Sequence, residues 1–219
     1  MFELFHINIE TRGKYKTYSD FEENDSKGAK LFFDKFNRTE WKNKYSDINE
    51  AYIENSPLLT TYGEITCISY GFIDDNNIKR IGSKQNTSEK DILLEFNKLM
   101  SKVEEKNFYL IGFRLLYFDI PWILHKMHSY NITPVSILTT YNKRPWDTRL
   151  KDLSDDWKLK LPYYNSFDEV CYELNVENSQ IDTTIHDKYW NGDLEYIKNH
   201  CEKNIEASIN VSKIIYNIK

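Results

Sequence analysis

Helix-type and strand-type segments follow one another along most of this chain, and their order limits the possible folds more than any other feature. The segment SEKDILLEFNKLMSKVEEK, residues 88–106, carries apolar residues at helical spacing. Ser88 with Asp91 three positions later resembles a capping box at its start. The apolar run NFYLIGF, residues 107–113, follows directly and is typical of a strand buried on both faces. A helix that leads into a buried strand indicates an α/β fold.

Segments before this helix add strands to the same pattern. Residues 1–10 form a first predicted strand. The segment YGEITCISYGFID, residues 62–74, leads through the turn DDNN into IKRIGS, which predicts a β-hairpin. Between them, residues 12–57 are polar and charged, with scattered aromatic residues and no strand pattern. We interpret this region as an insertion with some helix in a single domain that spans residues 1–219.

The segments after residue 113 complete the prediction. LLYFDIPWILHKMHSY, residues 115–130, places Pro121 in a first helical turn, so Asp119 should lie at the N-terminus of a helix. RPWDTRL, residues 144–150, is a candidate strand. SFDEVCYEL, residues 166–174, and the segment from Asp193 onward are predicted helices. The whole order predicts a mixed sheet with helices on its faces.

Charge and cysteine content limit the function and the compartment. The formal net charge of −5 means that any nucleic-acid contact must use a local patch or a metal ion. The chain has three scattered cysteines, too few for a disulfide framework or a structural zinc site, and Cys67 and Cys201 are expected to be buried thiols. No leader or membrane-spanning pattern is present, so we expect a protein of the cytoplasm or host-cell interior that is neither secreted nor membrane-bound.

Polar residues at separate points of the chain could meet in this architecture. Asn8 and Glu10 leave one face of the first strand, because residues two apart in a strand point the same way. Asp119 begins a helix, and His200 and Asn204 project from one face of the last helix because they are four apart. With carboxylates at all four of positions 8, 10, 119 and 204, such a cluster would hold two divalent cations for phosphoryl transfer.

Three motifs that contain these residues resemble those of the DEDD-type 3′-5′ exonucleases of the ribonuclease H-like superfamily. FHINIET, residues 5–11, is similar to the first motif F-D-I-E-T of that family. GFRLLYFDIPWIL, residues 112–124, resembles the second, G-x-N-x-x-x-F-D-x-P-x-L. HCEKNIEAS, residues 200–208, resembles the third, Y-C-x-x-D-V-x-x-T. The likeness covers nearly the whole chain and is closest to stand-alone relatives of the family-B DNA polymerase proofreading domain.

The resemblance implies a ribonuclease H-like mixed five-stranded sheet and a metal-dependent hydrolase that removes nucleotides from the 3′ end of DNA, favoured over RNA and expected to be single-stranded. It also implies two divalent cations, Mg²⁺ or Mn²⁺, at positions 8, 10, 119 and 204. His200 becomes the candidate general base, in place of the usual tyrosine. The predicted substrate-binding residues are Ile9, Thr11, Arg114 and Phe118.

Two of the metal positions depart from the family pattern, because Asn8 and Asn204 stand where aspartates are usual. Asparagine keeps the shape of aspartate but offers only a weak neutral carbonyl ligand, so the four positions carry two formal negative charges instead of four. We favour a deliberately inactivated version of an active exonuclease, and we expect this sequence to hydrolyse DNA very slowly. A naturally degenerate exonuclease that binds nucleic-acid ends or a replication partner stays open.

The resemblance and the composition also suggest a biological setting. A role in DNA replication or repair would be exercised in trans with a separate replication protein, since we expect no polymerase domain in the chain. The composition, rich in Asn, Lys, Ile and Tyr, points to an AT-rich genome such as that of a virus or phage.

Overall fold

The structure is a computed structural model that describes residues 3–140, 143–144 and 147–218. The chain divides into two compact units. The first comprises Met1–Ile9, Cys67–Ile181 and Lys198–Lys219, and the second comprises Glu10–Thr66 and Asp182–Ile197. The strand predicted at residues 144–150 falls partly on residues 145 and 146, which lie outside the described residues.

A mixed five-stranded sheet forms the framework, with the strand order β3-β2-β1-β4-β5. Strands β1 and β4 pair in parallel, as do β4 and β5, whereas β2 and β3 form an antiparallel hairpin. This open sheet with flanking helices is the ribonuclease H-like α/β arrangement, and it confirms the predicted fold class. The strands are β1 Leu4–Gly13, β2 Gly63–Ile73, β3 Lys79–Gln85, β4 Tyr109–Gly112 and β5 Leu150–Asp152.

Helices occupy the segments between and after the strands. They are α1 Tyr18–Asn24, α2 Ser26–Arg38, α3 Trp41–Lys44, α4 Ile48–Asn55, α5 Glu89–Glu105, α6 Asp119–Ser129, α7 Leu153–Lys158, α8 Phe167–Glu173, α9 Ile185–Trp190 and α10 Leu194–Ile215.

Local capping explains where several helices begin. The Ser88 side chain accepts the Asp91 backbone N–H at the start of α5, as predicted. Ser166 and Glu169 form a full capping box at the start of α8. The short helix α7 was not predicted, and it follows β5 directly because the Asp152 carboxylate accepts the backbone N–H of Ser154.

Strand β5 lies later in the sequence than predicted. It begins at Leu150, the last residue of the predicted segment, and ends at Asp152. A three-residue strand carries too little periodicity to be found from sequence, and its register becomes defined only when Leu110 and Leu150 pair across β4 and β5.

In the first unit, helix α10 lies close to strand β2 of the sheet. A Cβ placed on Gly71 of β2 would lie 2.6 Å from the Cγ2 atom of Ile205, so the absence of a side chain at position 71 allows the helix to approach. A second apolar cluster in this unit is formed by six buried residues: Ile111, Leu153, Val170, Cys171, Ala207 and Val211. All three cysteines are buried thiols that form no disulfide bond, which confirms the prediction for Cys67 and Cys201.

The second unit contains the predicted insertion of residues 12–57 and, in addition, residues 182–197. Helices α1, α2 and α4 surround an aromatic core in which the rings of Phe32 and Tyr62 meet edge to face at 5.1 Å. The other buried members of this core are Tyr18, Phe21, Ala29 and Tyr52. The described part of the chain includes no helix that is both long and apolar enough to cross a membrane.

Candidate functional site

Asp119 begins α6, as the sequence predicted, and its side chain is directed to the first strand. The residue is only 3% exposed, and its Oδ1 atom accepts the backbone N–H of Ile9 at 2.9 Å. The N-cap position of α6 is Phe118, which makes no side-chain capping hydrogen bond. Asp119 therefore links the second motif to the backbone of the first.

Asn8 connects the first motif to α10. Its Nδ2 atom donates to the Sγ atom of Cys201 at 3.3 Å, and the thiol lies 3.7 Å from the Asn8 carbonyl oxygen. Cys201 is fully buried, while Asn8 is half-buried. Because Asn204 follows Cys201 by three residues, it lies about one helical turn further along α10.

Asn204 and His200 form a polar pair on α10, one turn apart. The Nδ2 atom of Asn204 lies 3.4 Å from Nε2 of His200, and its Oδ1 atom accepts the hydroxyl of Ser179 at 2.6 Å. His200 is 7% exposed, less than the half-exposed position expected of a surface helix. Ser179 lies in an irregular segment with no motif, so nothing in the sequence identified it as a partner of Asn204.

Glu10 and Thr11 lie where β1 continues into the second unit. Glu10 is two residues after Asn8 on the same strand, so the two side chains leave the same face, as predicted. The Thr11 hydroxyl donates to the carbonyl of Pro57 at 2.5 Å, and Ile9 is 4% exposed. Substrate binding by Ile9 and Thr11 stays a prediction.

Arg114 and Phe118 lie on the loop between β4 and α6, which a buried carboxylate holds in place. Asp152 accepts the backbone N–H groups of Arg114 and Leu116, both at 2.9 Å. Arg114 is exposed and has a φ of 58°, while Phe118 is half-buried with its ring 5.7 Å from that of Trp122. Sequence reasoning missed Asp152, although an Asp at a strand end before Leu-Ser is a recognisable capping signal.

The residues present do not fit a pair of divalent cations. Within the described ranges, no group of three or more His, Cys, Asp or Glu residues could hold a metal ion. Two of the predicted ligands are amides, and their polar atoms contact Cys201, Ser179 and His200. Mg²⁺ and Mn²⁺ prefer charged oxygen ligands, so Asn8 and Asn204 would be weak substitutes.

Comparison with known proteins gives a structural likeness and no sequence match. No family model matches the chain, and no curated protein matches it. The fold is similar to that of the family B DNA polymerase from the hyperthermophilic archaeon Pyrobaculum calidifontis, with a TM-score of 0.57 and 9% sequence identity. The match covers 99% of this chain and 25% of the polymerase chain, so this chain spans about a quarter of that protein. At this identity the likeness shows the fold alone.

Proposed function

We propose that this chain is a 3′-5′ exonuclease-type domain that binds the 3′ end of single-stranded DNA and hydrolyses it very slowly or not at all. The observation that carries the proposal is one hydrogen bond, in which the backbone N–H of Ile9 donates to the Asp119 carboxylate. Ile9 lies between Asn8 and Glu10, the two polar positions of the first motif. It joins two segments 110 residues apart that resemble successive exonuclease motifs. The likeness to a DNA polymerase fold supports a nucleic-acid-related role.

The loss of hydrolysis follows from the charge of the predicted metal site. Four carboxylates at positions 8, 10, 119 and 204 would hold divalent cations, which would supply electrostatic stabilisation for phosphodiester hydrolysis. Asn8 and Asn204 remove two of the four expected carboxylates, whereas Glu10 and Asp119 remain. The predicted positions of Arg114 and Phe118 next to a DNA end do not depend on those charges, so binding of the end should persist.

The test is to restore both carboxylates with Asn8→Asp and Asn204→Asp in one variant. We expect the double variant to shorten a 5′-labelled single-stranded oligonucleotide stepwise from its 3′ end in Mg²⁺ or Mn²⁺. The unchanged chain should bind the same oligonucleotide without producing a ladder. A 3′-recessed duplex and an RNA oligonucleotide, assayed alongside, measure the expected preference for single-stranded DNA.

The matched control adds Asp119→Asn to the double variant, which removes another predicted ligand while its oxygen can still accept the Ile9 N–H. This triple variant should lose the ladder. A double variant that keeps the circular dichroism spectrum of the unchanged chain but produces no ladder would contradict the exonuclease assignment.

One observation favours a second candidate, a naturally degenerate exonuclease that serves as a binding module for nucleic-acid ends or a replication partner. The amide nitrogen of Asn8 donates to the Cys201 sulfur, which an ionised aspartate could not do. This candidate predicts affinity for 3′ ends that is unchanged by EDTA, measured by fluorescence anisotropy, together with no ladder from the double variant. A ladder from that variant would favour the first proposal.

A further inference from the structure

Two exposed tyrosines in the first unit lie side by side. Tyr117 belongs to the β4–α6 loop and is 53% exposed, and Tyr164 follows α7 and is 41% exposed. Their ring centroids are 6.2 Å apart, with an angle of 68° between the planes. We call this pair the tyrosine platform. Large aromatic side chains that stay accessible in pairs mark a surface for ligands better than single exposed residues do.

A single carboxylate holds both rings of the tyrosine platform. The Tyr117 hydroxyl donates to Oδ2 of Asp155 at 3.0 Å, and the Tyr164 hydroxyl donates to Oδ1 of the same residue at 3.1 Å. Rings fixed in this way lose little conformational freedom when a ligand stacks on them, so the platform is preorganised.

Two cations lie beside the tyrosine platform. The Nζ atom of Lys158 is 3.6 Å from the centroid of the Tyr164 ring, and the guanidinium carbon of Arg114 is 5.6 Å from it. The chain as a whole has a net charge of −5, but these two side chains place positive charge next to exposed aromatic surface. Aromatic rings that stack on bases, with cations that meet phosphates, are the combination by which proteins bind single-stranded nucleic acid.

The backbone on both sides of the tyrosine platform adopts a conformation that side chains disfavour. Arg114 has a φ of 58° and Leu159 a φ of 54°, both in the left-handed region. Leu159 is 81% exposed, so apolar burial does not account for its position. Hydrogen bonds from their N–H groups to Asp152 and to the Asp155 carbonyl hold the two residues there. Such strain is concentrated at ligand-binding positions.

We propose that the tyrosine platform, with Arg114 and Lys158, binds unpaired nucleotides that precede the 3′ end of a single-stranded DNA. This inference rests on the proposed function and extends it, because the substrate becomes a single-stranded tail of several nucleotides rather than an end alone. The loop that carries Tyr117 continues directly into Phe118 and Asp119, so one segment serves both the tail and the predicted end site. Two accessible rings with two cations beside them suit the bases and phosphates of a nucleic-acid strand, and we therefore favour DNA over a protein partner.

The experiment compares affinities for a 5′-fluorescein-labelled oligothymidylate of about eight nucleotides by anisotropy, with the full chain. Tyr117→Leu and Tyr164→Leu in one variant should weaken binding about tenfold or more, since base–aromatic stacking contributes strongly for each base. Tyr117→Phe with Tyr164→Phe keeps the rings but removes the bonds to Asp155, and it should keep most of the affinity. The matched control is Tyr172→Leu, a tyrosine on α8 that is 88% exposed and outside the platform, which should bind as the unchanged chain does.

A salt titration distinguishes the contribution of the two cations to DNA binding from that of the two aromatic rings. Replacing Arg114 and Lys158 with Gln should reduce the slope of log affinity against log salt by about 0.7 for each lost phosphate contact. The leucine variant should keep the slope of the unchanged chain while its affinity falls.

Each contrary result has a separate meaning. Equal affinity of the leucine variant and the unchanged chain overturns the inference, even where the variant with Asn8→Asp and Asn204→Asp is an active nuclease. Platform-dependent binding without a ladder from that double variant supports the inference and overturns the exonuclease proposal. If the leucine substitutions change the sedimentation coefficient of the chain but not its DNA affinity, the platform is an interface between two copies, and the inference is wrong.

Discussion

His6 shows how a buried ionisable residue can form part of the core. Its Nδ1 atom lies 2.8 Å from the Ser208 hydroxyl, its Nε2 atom lies 3.3 Å from the Ser212 hydroxyl, and the residue is 2% exposed. Burial lowers the pKa of His6 to about 3. The imidazole is therefore neutral in the folded chain at any pH at which the protein is normally handled.

This gives a prediction for stability against pH. In the unfolded chain His6 should have a pKa of about 6.5, so between about pH 6.5 and 3 the unfolded state binds a proton that the folded state does not. The free energy of unfolding should fall as the pH is lowered through this range, by up to about 1.4 kcal/mol per pH unit from this residue. Urea unfolding at pH 7 and pH 5 measures the change.

The control for this prediction is a comparison of two histidine variants. His6→Leu should show a smaller loss of stability between pH 7 and pH 5, whereas His128→Gln, at an exposed position, should behave like the unchanged chain. Equal slopes for all three proteins would show that His6 is not the group responsible.

At the scale of elements, the contact between α10 and β2 links stability to the geometry of the candidate site. Helix α10 carries His200 and Asn204, and its Ile205 packs over Gly71. Any side chain at position 71 must displace Ile205 or move the helix, because a Cβ there would lie 2.6 Å from the Ile205 Cγ2 atom. On the other side it would lie 3.0 Å from the Arg80 carbonyl oxygen, so the new group has little room to shift away from the helix. The spacing of α10 from the sheet thus depends on one glycine.

We expect Gly71→Ala to lower the free energy of unfolding by about 1–3 kcal/mol, as overpacking of a tight core does. In the double aspartate variant, the same substitution should also slow 3′ end removal, because α10 would shift relative to β1. For Gly82→Ala, on the paired strand β3, the nearest atoms to the new Cβ would belong to the Tyr70 ring and hydroxyl, at 3.0 Å or more, so this substitution should cost less in both measurements. Equal effects of the two substitutions would mean that the α10 contact has no special importance.

At the scale of the whole molecule, the response of thermal unfolding to divalent cations tests the predicted metal site without any activity assay. A ligand that binds only the folded state stabilises it by about 2.7 kcal/mol at a concentration 100 times its dissociation constant. Among the described residues no cluster of His, Cys, Asp or Glu side chains is suited to a metal ion, so Mg²⁺ should leave the unfolding temperature nearly unchanged.

The Asn8→Asp, Asn204→Asp variant should respond differently. In EDTA we expect it to unfold at a lower temperature than the unchanged chain, because carboxylates at positions 8 and 204, predicted to share a site with Asp119, would repel one another. Mg²⁺ or Mn²⁺ should raise that temperature again, and the triple variant with Asp119→Asn should show a smaller rise. An absence of any metal response in the double variant would count against a metal site at these positions.

More of the fold than of the candidate site could be predicted from the sequence. The hairpin, α5, α6, α8 and α10 were predicted close to their observed bounds, because capping residues and apolar spacing mark long elements locally. Helices α7 and α9 and the three-residue strand β5 were missed or misplaced, since each is too short to show a period. For the site, the sequence located the motif residues but not Ser179, Asp152 or the tyrosine platform.

The sequence alone determined the order of the elements, the α/β class and the positions of the motif residues, because periodicity, caps and short motifs are properties of neighbouring residues. The tertiary structure decided which distant groups meet: Asp119 with the Ile9 backbone, Asn8 with Cys201, and Asn204 with Ser179. It also decided that residues 182–197 belong with the predicted insertion in one compact unit. Such contacts depend on how elements pack across long stretches of chain, and no local pattern encodes that packing.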